Sequence, residues 1–202
     1  MTHPDSVERL RGFVVDFSRL VTEETRTAVL LQRGADLLGA LVARDNWLPD
    51  AYAVPHPEHY QQYLLHCDPL ERFSLVSFVW GPGQRTPVHD HRVWGLVGVL
   101  RGGEIETRYI RNAAGRPEAD ASEALHPGDV ARLSPEDGDL HRVANAFQDR
   151  VSVSIHVYGG NIGAVRRATY DAETGAEKPF VSGYANNSVP NLWNRSLERA
   201  PA

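Results

Sequence analysis

The residue type with the widest chemical repertoire here is histidine, present nine times and able to ligate a metal, move a proton or fill a core. Spacing separates the nine. His89 and His91 flank Asp90, and in a β-strand positions i and i+2 face the same way, so both rings can aim a nitrogen at one point. A pair of this kind alone also suits an exposed strand, where it does no chemistry. A second row lies in 151–158, where Val151, Val153, Ile155 and Val157 alternate with Ser152, Ser154, His156 and Tyr158. Ser154, His156 and Tyr158 therefore share one strand face. It is solvated on an ordinary sheet, but able to hydrogen-bond as a relay where that face lines a polar interior.

These side chains need elements to hold them. From about residue 60 onward the chain reads as short β-type runs bounded by Gly, Pro and Asp: 60–65, 73–80, 93–100, 104–111, 130–133, 141–147 and 151–158. Turn signals at Gly81-Pro82-Gly83, Arg101-Gly102-Gly103, Pro127-Gly128-Asp129 and Asp137-Gly138-Asp139 punctuate them. A sandwich or barrel follows. Before it, Val7, Leu10, Val14, Phe17 and Leu20 recur at helical steps after a candidate cap, Ser6. Leu30, Leu31, Leu37, Leu38, Leu41 and Val42 make a second stripe within 27–44, closed by Asn46 and Pro49. Both stripes are core-packing faces. The polar stretch after residue 180 reads as a partly ordered tail.

Composition narrows the function. With 21 Lys plus Arg against 26 Asp plus Glu, the net charge is −5, which disfavours nucleic acid and anionic membrane as partners. The 202 residues are 42% hydrophobic and suffice for one domain with a full core. The single cysteine, Cys67, allows no intramolecular disulfide and no thiol-rich metal cluster. No basic stretch leads into an apolar run at the start, and no segment approaches the length of a membrane span. A cytoplasmic protein is the expectation.

Gly83, His89, His91 and Gly102, followed by Gly128, Pro135, Gly138, His141 and Asn145, resemble the two motifs of the cupin superfamily. The second motif has one extra residue before its proline and one after. The resemblance implies a double-stranded β-helix, or jelly-roll barrel, holding a metal between its sheets. His141, entering a distant strand after a tight turn, then supplies a third imidazole beside His89 and His91. Three neutral imidazoles suit Fe, Zn, Ni or Cu and leave coordination positions open. Most metallo-cupins place a glutamate ligand four residues after the second histidine, which here is Gly95. Without that carboxylate a divalent ion keeps its full charge to attract a thiolate or carboxylate.

Leu140-His141-Arg142-Val143, the run 152–158 and His89-Asp90-His91 together resemble the thiol dioxygenase branch of cupins, the family of cysteine dioxygenase and 3-mercaptopropionate dioxygenase. The resemblance spans about 60–167. It implies Fe(II) held by His89, His91 and His141, an outer relay of Ser154, His156 and Tyr158, and addition of both atoms of O2 to a small thiol, giving a sulfinic acid. The cysteine that crosslinks to the catalytic tyrosine in animal members falls on Gly95, so that crosslink is ruled out. The arginine that holds the substrate carboxylate in those members is matched by Gln62, as in the bacterial branch that prefers 3-mercaptopropionate. In that branch an arginine downstream of the relay strand binds the carboxylate. Arg166 and Arg167 both stand there, and Arg167 is the favoured one.

The resulting expectation is a mainly β chain forming a single cupin domain over 1–202. It has a helical portion over about 1–58, a barrel over about 59–183 and a tail over about 184–202. Its expected activity is that of an Fe(II)-dependent thiol dioxygenase acting on a small thiol carboxylate, with 3-mercaptopropionate favoured and cysteine the alternative substrate. Another metallo-cupin activity, or a non-catalytic small-ligand-binding cupin, are the competing readings.

Overall fold

The computed structural model describes residues 4–194. Two helices, α1 (Pro4–Glu23) and α2 (Thr27–Val42), precede eleven strands. The strands are β1 (Gln61–Cys67), β2 (Ser74–Trp80), β3 (Val88–His89), β4 (Gly95–Arg101), β5 (Glu104–Arg111), β6 (Pro117–Leu125), β7 (Val130–Leu133), β8 (His141–Asn145), β9 (Ser152–Tyr158), β10 (Arg167–Tyr170) and β11 (Glu177–Phe180). They form two antiparallel sheets, one ordered β1-β2-β9-β4-β7 and the other β11-β10-β3-β8-β5-β6. From β2 to β5 and from β6 to β10 successive strands alternate between the two sheets, as in a jelly-roll double-stranded β-helix, while β1–β2, β5–β6 and β10–β11 are hairpin neighbours within one sheet. No described helix is long and apolar enough to cross a membrane.

The first sheet is covered on both faces. All seven residues of β9 are buried. Val153, Ile155 and Val157 turn outward into a cluster with Leu10, Phe17, Leu38 and Leu41 of the helices, while Tyr158 joins Val76, Phe78 and Trp80 on the inner side. The strand alternation is thus apolar toward the helices and polar toward the barrel interior, the reverse of a sheet that wets its polar face. The helical stripes do the covering. Their approach is close: a Cβ on Gly98 of β4 would lie 2.9 Å from Cγ of Leu38, and one on Gly34 of α2 would lie 2.9 Å from Cδ1 of Leu96.

Several expectations need correction. Helix α1 begins at Pro4, so Ser6 lies inside it and is not its cap; proline suits a first helical position because its missing N–H has no partner there. Strands β6, β10 and β11 carry no apolar alternation and were not expected. β6 (PEADASEAL) is an exposed edge strand buried only at its two ends, and its ladder to β5 holds it in place. The part of the expected partly ordered tail that is described, 184–194, packs on the barrel. Asn186 accepts the Leu64 N–H at 2.8 Å and donates to the Leu64 carbonyl at 2.9 Å, so one amide side chain caps the open edge of β1. Ala185 N–H reaches the Gln62 carbonyl at 2.8 Å, and Leu192 is buried in the helix-side core. The remainder of the expected tail, 195–202, lies outside the described residues.

The tight seam between α2 and β4 makes a testable point. Gly98→Val overpacks it and is expected to cost about 1–3 kcal/mol in urea unfolding. Metal binding by the folded variant should be unchanged, because the residue faces the helices.

Candidate metal centre

His89 ends β3, and its direct ladder partner on β8 is His141, so the two rings rise side by side from one face. The strand expected to carry His91 stops short of it: β3 ends at His89, and His91 is positioned by carboxylates instead of a ladder. Asp139 Oδ2 accepts the N–H groups of His91 and Arg92 at 2.8 and 3.0 Å, at a turn where Arg92 takes a left-handed φ of 61°. Asp90 ties the same turn to β10, accepting the Ala168 N–H at 2.8 Å and the Tyr170 hydroxyl at 2.9 Å. The three imidazoles end with ring centroids 4.7 to 4.8 Å apart, all buried. One ligand nitrogen from each lies within 4.8 Å of the others.

The surroundings suit a cation held by neutral rings. The Nδ1 of His141 meets Glu106 Oε1 at 2.7 Å and that of His89 meets the Pro87 carbonyl at 3.1 Å. Acceptors at both Nδ1 positions place the ring hydrogens there and leave Nε2 bare. His141 Nε2 is indeed buried with no hydrogen-bond partner. Burial, then the neighbouring histidines, holds His89 and His91 well below the usual imidazole range, so both are neutral. An orphaned, buried, basic nitrogen beside two more is a donor set for a divalent transition metal, and the carboxylate at Glu106 stands where metal-binding histidines find their orienting partner.

The relay residues form an unbroken chain. Ser154 Oγ lies 2.8 Å from His156 Nε2, and His156 Nδ1 lies 2.8 Å from the Tyr158 hydroxyl. Phe78 stacks on the His156 ring at 4.1 Å, and the Tyr158 ring lies 5.3 Å from that of His91. Burial lowers His156 to about 3 and raises Tyr158, so the chain is uncharged. Gly95 is the ladder partner of Tyr158, and a Cβ there would lie 3.3 Å from Cε1 of the tyrosine. The position expected to carry a crosslinking cysteine does face the phenol ring, and here it holds no side chain.

A cavity of about 140 Å³ opens beside the histidines, lined among others by Gln62, Phe78, His89, His91, Tyr158 and Arg167. Arg166 is exposed, whereas Arg167 is 4% exposed. Parity explains the difference: Thr169 is the ladder partner of His89, and Arg167, two residues earlier, shares its face. Arg167 donates Nη1 to the Ile162 carbonyl at 2.9 Å and Nη2 to Ser182 Oγ at 3.0 Å, and its guanidinium lies 4.9 Å from the Phe180 ring centroid. Its buried Nε has no partner. Gln62 Nε2 donates to the Gly183 carbonyl, so one of its two donor hydrogens is already committed. No carboxylate lines the cavity among the described residues.

Glu106, Asp139 and Asp90 support the three histidines and carried no assignment in the sequence analysis. The signal for Glu106 was Glu104-Ile105-Glu106, in which the apolar residue is the exposed one and the acids turn inward. Removing its carboxylate frees the His141 ring. Glu106→Ala is expected to weaken metal binding by roughly 10- to 100-fold, measured by competition with a chelator.

A family model described as Cysteine dioxygenase type I matches residues 26–171, from the start of α2 through β10 and thus well over half of the chain. That match extends further toward the N-terminus than the motif resemblance did. Cysteine dioxygenase type 1 of Danio rerio is 26% identical over 134 residues, covering 64% of this chain and 61% of the relative, so less than two thirds of that relative is spanned. Among solved structures, a double-stranded β-helix protein of Klebsiella pneumoniae covers 66% of this chain and 87% of its own, at 16% identity and a TM-score of 0.45. A cupin-2 domain of Rhodospirillum rubrum covers 63% and 72%, at 16% identity and a TM-score of 0.40. On the extent of the family match, this chain belongs to the cysteine dioxygenase type I family.

Proposed function

We propose that the protein is an Fe(II)-dependent thiol dioxygenase that converts a small thiol carboxylate and O2 to the sulfinic acid, with 3-mercaptopropionate preferred to cysteine. The observation that carries this reading is one small cavity shared by His89, His91, the Tyr158 relay and a buried arginine. Fe(II) held by His89, His91 and His141 would supply the electron exchange that lets O2 react with a thiolate. The protein supplies everything else.

Arg167 holds the carboxylate. Its unpartnered Nε offers a charge-assisted hydrogen bond, and its two Nη groups are already fixed, so the guanidinium is oriented before substrate arrives. Gln62 contributes a neutral wall and its remaining donor hydrogen. Tyr158 hydrogen-bonds the ligands at the metal through its hydroxyl, with His156 and Ser154 fixing the phenol from behind. Phe78, Tyr60 and Phe180 keep water from the thiol and oxygen. Substrate preference follows from charge. A thiolate and a carboxylate match the metal and Arg167, whereas the ammonium of cysteine enters beside two cations with no carboxylate in the cavity to pair it. The single thiol, Cys67, fits a reducing compartment, and we place the protein in the cytoplasm.

Three expected outcomes test this. Catalytic efficiency should be higher with 3-mercaptopropionate than with cysteine in parallel O2-uptake assays at matched iron content; equal or reversed efficiency removes the substrate assignment. Arg167→Ala should lose about 1.5–3 kcal/mol of substrate binding, and Gln62→Ala less. Tyr158→Phe should slow turnover while retaining its iron, measured by metal analysis of the same sample; loss of iron would make Tyr158 a ligand.

A further inference from the structure

Glu104 opens β5 and is completely buried, with Leu125 of β6 and Asn145 of β8 as its ladder partners. Among the described residues no cation acts on it from any packed element. Trp80 of β2 and Ser154 of β9 are the polar groups close enough to favour its anion, and Glu106 on its own strand opposes it. Neither Trp80 nor Ser154 completes a hydrogen bond of good geometry, and both carboxyl oxygens stay without a partner among the described residues. An unpartnered carboxyl buried beside Ser154, where the Ser154, His156 and Tyr158 chain ends, is costly unless it is neutral or has a task.

We infer that Glu104 is the proton store of the pocket: its single proton sets the direction of the Ser154, His156 and Tyr158 chain, and through that chain it receives the proton of a thiol bound in the cavity. This rests on the reading of the cavity as a thiol site. Glu104 acts through Tyr158 and is a positioning residue; it does not touch substrate.

The hydrogen count fixes the two states. The Trp80 indole N–H donates to Ser154 Oγ at 3.2 Å. When Glu104 is protonated and also donates to Ser154, both acceptor sites of that hydroxyl are filled, and its own hydrogen must go to His156 Nε2. The His156 hydrogen then sits on Nδ1 and donates to the Tyr158 oxygen, leaving the phenol hydrogen pointing into the cavity. When Glu104 is ionised, Ser154 donates to it instead. His156 turns its hydrogen to Nε2, Tyr158 donates to Nδ1, and the phenol oxygen presents a lone pair to the cavity.

A thiol meeting the second state gives its proton to the Tyr158 oxygen. The phenol hydrogen passes to His156 Nδ1, the Nε2 hydrogen to Ser154 and the Ser154 hydrogen to Glu104. One S–H bond breaks, one carboxyl O–H bond forms, and neither the phenol nor the imidazole keeps a charge. Burial suits Glu104 to this task, raising it to about 7 against the lowering by Ser154 and Trp80, so both states are accessible near neutrality.

The test is the proton inventory of anaerobic 3-mercaptopropionate binding to the Fe(II)-loaded protein, by calorimetry in buffers of different ionisation enthalpy. At pH of about 6 Glu104 already holds its proton, so the thiol proton is released, about one per chain; at pH of about 8.5 Glu104 absorbs it and release falls toward zero. Glu104→Gln and Ser154→Ala, which remove the store and cut the chain, should release about one at both pH values. Infrared spectra of metal-free wild type should show a protonated-carboxyl band that vanishes on raising pH through about 7 and is missing in Glu104→Gln. Binding with pH-independent proton release in the wild type overturns the store and leaves the thiol reading standing. Persistence of the pH dependence in either variant, or lack of the infrared band, also overturns it. If Glu104→Gln does not fold, the wild-type pH dependence and Ser154→Ala still decide. No binding at either pH overturns the thiol reading and this inference together.

Discussion

The structure depends on one constraint: the barrel interior buries polar side chains, and buried polar groups must be neutral and hydrogen-bonded or very costly. The helices make this possible. By covering the outer face of β9, they let Val153, Ile155 and Val157 supply the apolar packing that a sheet ordinarily keeps inside. The inner face is then free to carry Ser154, His156 and Tyr158, joined end to end by 2.8 Å contacts. The N-terminal helices thus let the interior be polar.

Charge in the interior follows the same rule. Carboxylates stand behind the histidines, at Glu106 and Asp139, where they fix rings and turns without entering the cavity. Arg167 is the one permanent charge on the cavity wall among the described residues, held by Ile162 and Ser182. A site of neutral ligands and one fixed cation selects for anions. The proposed preference for a thiol carboxylate over an amino acid rests on that charge balance more than on shape.

The site was more legible in the sequence than its supports. His89, His91 and His141 were marked by the two glycine-punctuated motifs, although the strand expected to carry His91 ends at His89, and Ser154, His156 and Tyr158 by strict alternation with valine and isoleucine. Glu106 and Asp139 did not, because a glutamate on a strand and an aspartate in a turn look like ordinary surface residues until the direction of each side chain is known. Strands β10 and β11 are four residues each, too short for a period, and β6 is an edge strand with only its two ends buried. The fixing of 184–194 rests on Asn186 imitating a backbone amide, which leaves no periodic trace. Which of Arg166 and Arg167 faces the cavity is legible only from the register of β10 against β3.

The most direct test of thiol oxidation at this site is the mass of the product formed from 3-mercaptopropionate by the Fe(II)-loaded protein under oxygen-18 gas. Sulfinate carrying two labelled oxygens, in amount equal to the O2 consumed, is the expected result. Disulfide or unlabelled product, from protein that still holds its iron, would contradict it.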